Sequence, residues 1–177
     1  LDVEAETQNL ALYLTSRDRS NNEPIEQRET WQYKDIKAEF HNFNWATDGW
    51  MKDSQNIPIM RVKDDARITI PYKPFSMEHG NIHNTGKTLE FEFATSGVFD
   101  YNTSLISCFS NGKGFNITAQ QAFFSSSATK ISAQYKENEH VRISFVINDS
   151  QENRLLYCYV NGIISGITQY STNEIFY

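Results

Sequence analysis

Glu90 and Glu92 stand two residues apart in the run GKTLEFEFAT, where Leu89, Phe91 and Phe93 alternate with Glu90, Glu92 and Ala94. If that run is a strand, successive side chains point to opposite faces and the two carboxylates share one of them. Carboxyl groups so placed can approach the roughly 5 Å separation at which retaining glycosidases pair an acid with a nucleophile. The competing reading is the solvated face of a half-buried strand, where paired glutamates are ordinary. We take that second reading and expect no catalysis.

Other reactive residue types lack the spacing that their chemistry requires. His41, His79, His83 and His140 form no HExxH or comparable ligand set. There is no GxSxG elbow for a serine nucleophile and no glycine loop suited to a phosphate. Cys108 in LISCFS and Cys158 in LLYCYV each sit inside an apolar run, not in a CxxC pair. Buried free thiols are expected; a disulfide stays open if the two strands are neighbours with facing side chains.

The elements that would carry these residues read as strands throughout. From Glu137 to Tyr170, Val141, Ile143, Phe145 and Ile147 alternate with Arg142, Ser144, Val146 and Asn148. A polar stretch follows, then the apolar run Leu155 to Val160, the turn pair Asn161-Gly162, and a third strand over Ile163 to Tyr170. This is an antiparallel meander. Upstream, Leu10–Thr15, Trp31–Tyr33, Ile36–Phe43, Pro58–Val62, Ala66–Tyr72, Leu105–Phe109, Phe115–Thr118, Ala122–Ser125 and Thr129–Tyr135 are further short strand candidates. Residues 16–29 and 73–87 read as polar loops, and no segment keeps a helical period. About eleven to thirteen strands suit a two-sheet antiparallel β-sandwich of jelly-roll type better than a small immunoglobulin-like one.

Composition bounds the rest. A chain of 177 residues, 39% hydrophobic and 14% aromatic, suits a single domain over 1–177. A net charge of -6 with dispersed basic residues argues against a nucleic-acid partner. No apolar run reaches the roughly 18 residues of a membrane-spanning helix, so membrane insertion is not expected. LDVEAETQNL lacks the basic and apolar regions of a leader, and Leu1 in place of Met suggests a processed product or a piece of a longer polypeptide.

The succession GKTLEFEFAT, GFNIT, NEHVRISFVI and LLYCYVNGIISG resembles the concanavalin A-like or laminin-G-like jelly roll. RSNNE, FHNFNWATDGW and ARITIPYKPF are similar to such modules in bacteriophage tail, fibre and head-decoration proteins and in related bacterial surface proteins. The likeness is strongest from Thr85 to Tyr170. It implies a non-catalytic structural or adhesion module of a virion or cell surface, surrounded by other assembly proteins and recognising host-surface glycans. The alternatives it leaves are a carbohydrate-binding module of a larger enzyme, or a glycoside hydrolase using Glu90 and Glu92. Against the last, jelly-roll glucanases carry a pattern close to E-x-D-x-E, and Ala94 takes the third position here.

The same resemblance points to rim loops as binding sites. Trp45, Asp48 and Trp50 in NWATDGW, with Asp100, Tyr101 and Asn102 in VFDYNTS, are the candidate ligand-binding residues. Asp100 and Asn102, together with Asn148 and Asp149 in the turn after HVRISFVI, are candidate calcium ligands if those loops converge on about six oxygens. For Trp45 and Trp50 the alternative is packing at the end of the sandwich. The family usually continues past its NGxxSG strand, whereas this sequence stops at Glu174-Ile175-Phe176-Tyr177. A closing strand is therefore expected from a cleaved segment or a partner chain.

Overall fold

The computed structural model describes residues 12–72, 87–97, 100, 103–110, 113–125, 130–149 and 154–170. It is an all-β structure with several antiparallel sheets, and it divides after Tyr72 into two compact units. The expected contributions of Leu10, His79, His83, Tyr101, Asn102 and the Ile175–Tyr177 continuation lie outside the described residues.

The first unit is built from short ladders around aromatic rings. Among its described residues the one helix, α1 (Ile25–Arg28), follows Pro24, whose carbonyl accepts the N–H groups of Gln27 and Arg28 at 2.9 Å each. Four residues are too few to display a helical period, and the stretch was expected as loop. Strands β1 (Gln32–Tyr33) and β2 (Ile36–Lys37) form one hairpin. Next come β3 (Glu39–His41), β4 (Gly49–Lys52), β5 (Pro58–Arg61) and β6 (Arg67–Thr69), with β3 paired to β6 and β4 to β5.

The single strand expected over Ile36–Phe43 is broken at Ala38, which is buried and donates its N–H to Trp31 O at 2.8 Å. At its far end Asn42 takes a positive φ of 58°, which ends the ladder. Strand β4 was not anticipated, because its period is masked by two adjacent buried residues, Gly49 and Trp50. Residues 12–15 are described as irregular, not as the expected strand.

Among its described residues the second unit consists of two four-stranded antiparallel sheets on a shared core. In chain order the strands are β7 (Lys87–Ala94), β8 (Ile106–Ser110), β9 (Lys113–Ile117), β10 (Gln121–Ser125), β11 (Lys130–Gln134), β12 (His140–Asp149), β13 (Arg154–Val160) and β14 (Ile163–Gln169). One sheet has the order β11-β10-β9-β8, and the other β14-β13-β12-β7. Period-2 patterning explains both: Phe115, Ile117, Ala122, Phe124, Ile131 and Ala133 line the inner face of the first. Val141, Ile143, Phe145, Ile147, Leu156 and Cys158 line that of the second. Rings meet across the gap, Phe91 with Phe115 at 5.0 Å and Phe124 with Phe145 at 5.6 Å.

The anticipated meander is present as β12, β13 and β14. Asn161 and Gly162 both have positive φ, 51° and 78°, as a tight hairpin turn matching strand twist requires. One boundary differs: Asn148 and Asp149 lie in β12 itself, opposite Leu155 and Arg154, not in a turn. Ladder hydrogen bonding carries the strand past the last inward apolar residue, Ile147.

Candidate functional site

Because Leu89, Phe91 and Phe93 turn inward, Glu90 and Glu92 are displayed on the outer face of the β14-β13-β12-β7 sheet. The register sets their neighbours. Glu90 is opposite Ser144, Ser144 is opposite Tyr159, and Tyr159 is opposite Ile164, so one row crosses four strands. The adjoining row runs Thr88, Val146, Tyr157 and Ile167. Residues opposed in this way share a face and touch.

The polar half of this face is a connected set. Ser144 donates its hydroxyl to Glu90 Oε2 at 2.9 Å, and Arg142 Nη2 donates to Glu92 Oε2 at 3.1 Å. Arg142 Nε lies 3.8 Å from Glu90 Oε1, while His140 Nε2 lies 3.4 Å from Glu92 Oε1. The hydrogen bond that Arg142 donates to Glu92, then the charges of Glu92 and Glu90, hold the guanidinium above its usual pKa.

The apolar half consists of Tyr157 and Tyr159, with ring centroids 6.2 Å apart and planes inclined by 24°, flanked by the exposed Ile164 and Ile167. In the sequence these tyrosines read only as strand formers. Their i, i+2 spacing on one strand was the available signal.

The candidates of the first unit come together, but inside it. Trp50 is buried, donates Nε1–H to Arg28 O at 2.7 Å, and packs edge-on against Trp31 at 5.3 Å. The Arg19 guanidinium covers its ring at 4.2 Å. Asp48 is buried and accepts the Asn44 N–H at 3.0 Å and the Thr47 hydroxyl at 3.3 Å, which closes the 44–48 turn. Trp45 is half-buried, donates to Glu29 Oε1 at 3.1 Å, and packs with Phe40 and Phe43.

The residue that organises this turn is Asn21, which lies in the polar loop of residues 16–29 in the sequence. Its Nδ2 donates to Trp45 O at 2.8 Å and to Asp48 O at 2.7 Å, and its Oδ1 accepts the Trp50 N–H at 2.7 Å. The partners lie 24 to 29 residues away, beyond the reach of any local pattern.

Of the oxygen donors proposed for calcium, Asp100 is exposed and its carbonyl accepts the Thr103 N–H at 2.9 Å. Asn148 is exposed on β12, and the side chain of Asp149 lies outside the described residues. Among the described residues, no group of three or more His, Cys, Asp and Glu side chains is placed to share an ion. Cys108 and Cys158 are free thiols. No family model, curated protein or solved structure matches this chain.

Proposed function

We propose that this chain is a non-catalytic recognition module of a virion or bacterial surface assembly, with its sandwich belonging to the concanavalin A-like jelly-roll type. Its binding surface is the outer face of the β14-β13-β12-β7 sheet, and the ligand class is a surface glycan. The observation that carries the reading is Arg142, which faces Glu90 and Glu92 together beside the tyrosine pair. Carboxylates held as acceptors can take paired sugar hydroxyls, and neighbouring aromatic side chains supply apolar surface for the C–H groups of a pyranose ring. The resemblance to phage and bacterial surface modules supports the setting.

The test is a glycan array, run with and without calcium, followed by titration of any hit against variants. Binding by the unaltered chain should weaken about tenfold, ~1.4 kcal/mol, in Tyr159→Ala and in Glu90→Gln. No glycan should be hydrolysed. Hydrolysis that disappears in Glu90→Gln would overturn the non-catalytic reading, and glycan binding indifferent to both variants would remove this face from it.

A further inference from the structure

The outer face of the β14-β13-β12-β7 sheet holds its charge at one end. Among the described residues its acidic and basic side chains are Glu90, Glu92, His140 and Arg142, all on β7 and β12. Two carboxylates against one guanidinium leave this end a formal charge of -1 with the imidazole neutral, in a chain of net charge -6. The guanidinium is already engaged. Its Nη2 donates to Glu92 Oε2 at 3.1 Å, and its Nε lies 3.8 Å from Glu90 Oε1. An incoming carboxylate or sulfate must displace Glu92 from Arg142 and then sit beside two like charges.

We propose that Glu90 and Glu92 fix the charge class of the ligand: this face takes uncharged glycans and rejects those bearing carboxylate or sulfate groups. The proposal rests on the glycan reading of the face and names the sugars it admits. Distance lets the rejection act across the site. Neighbouring strands lie ~4.8 Å apart, so Glu90 and Tyr159, separated by Ser144 in one row, stand about 10 Å apart. A pyranose seated on Tyr159 therefore holds any acid group within about one Debye length of Glu90, ~10 Å at 0.1 M salt. Solvent tempers the effect, since the Arg142, Glu90 and Glu92 side chains are 51%, 52% and 48% exposed. Discrimination between such surface charges depends on salt. Arg142 holds the opposite preference in reserve: without its two carboxylates, the same guanidinium is a fork for an acid group. Specificity on this face thus includes a repulsive element beside the attractive contacts.

The test measures binding of the full chain to pairs of glycans that share a core and differ by one sialic acid or sulfate. At low salt the unaltered chain is expected to bind the uncharged member at least about tenfold more tightly. That ratio should shrink toward one in about 1 M salt, where the Debye length is ~3 Å. Glu90→Gln/Glu92→Gln should erase or invert the ratio by gaining affinity for the acidic member. Glu26→Gln/Asp64→Asn removes the same two negative charges from the first unit and should leave the ratio unchanged. Acidic members bound as tightly as uncharged ones by the unaltered chain would overturn the inference. So would a ratio that Glu90→Gln/Glu92→Gln does not move, or that the control pair moves as far. Each of these results leaves the glycan reading standing if Tyr159→Ala still weakens binding, whereas a chain that binds neither member removes both. The salt dependence is read on the unaltered chain, and a ratio indifferent to salt overturns the inference even where the double variant fails to fold.

Discussion

Asn21 and Trp50 are joined by a hydrogen bond from the Trp50 backbone N–H to Asn21 Oδ1 at 2.7 Å, while the same amide donates to the carbonyls of Trp45 and Asp48. One side chain thus satisfies three backbone groups around a turn whose aspartate is buried. Replacing Asn21 by Ala should cost about 2–4 kcal/mol, the sum of net hydrogen-bond losses and partly buried groups left unpaired. Asn21→Asp keeps the size but removes both donors and sets a charge against two carbonyls, and should cost more. Urea unfolding followed by tryptophan fluorescence measures both, with Asn21→Asp expected at the lower midpoint.

Gly49 makes the same close approach possible from the other side. Its φ is +95°, and a Cβ there would lie 2.5 Å from Asn21 Oδ1 and 2.5 Å from the Trp45 ring. Gly49→Ala should therefore destabilise by about 1–3 kcal/mol, through backbone strain and displacement of the Asn21 amide. Combined with Asn21→Ala it should lose less than the sum of the two single costs, because one of the two clash partners is gone and only the Trp45 ring remains. Additive costs in a double-mutant cycle would contradict this coupling.

The hairpin turn at Asn161-Gly162 has a second role in the second unit. Asn161 Oδ1 accepts the Arg142 N–H at 2.8 Å, and the Asn161 N–H donates to Arg142 O at 2.8 Å, so the turn reaches across to β12 near its start. Asn161→Ala should cost about 1–2 kcal/mol, because it loses the side-chain bond and forces alanine to a φ of 51°. Asn161→Gly should recover the backbone part only. Equal midpoints for the two variants in guanidinium unfolding would show that the Arg142 bond and not the backbone sets the cost.

The second unit was legible in the sequence where alternation ran for five residues or more. Val141 to Ile147 announced an inner face, and the Asn161-Gly162 pair announced its turn. The first unit was not, since strands of two to four residues hold too little pattern to separate from loop, and Gly49 beside Trp50 hides the period of β4. Asp48 and Trp50 looked like display residues by type. Their burial depends on Asn21, Arg19 and Arg28, which arrive from elsewhere in the chain. At the outer face, Glu90 and Glu92 could be placed on one side of a strand, but their shared partner Arg142 comes from a strand some 50 residues later. Local spacing carries no information on such pairings.

Cys158 makes the sandwich sensitive to alkali. It is fully buried among Leu156, Phe145 and other core side chains, and burial pushes its thiol up to about 11, above the ordinary 9.0. Burial, and then the charge of Cys158, likewise raise Tyr135, whose hydroxyl donates to Thr118 O at 2.7 Å. In the unfolded chain the thiol ionises at its ordinary value, so between about pH 9 and 11 unfolding releases a proton and stability falls. Below pH 9 this contribution is fully present. Cys158→Ala should flatten that alkaline decline, at a cost near neutrality of about 1–2 kcal/mol for the cavity it leaves. Urea midpoints measured from pH 7 to 10.5 for both proteins check the sign: the two curves should converge as pH rises, and parallel curves would show that the decline arises elsewhere.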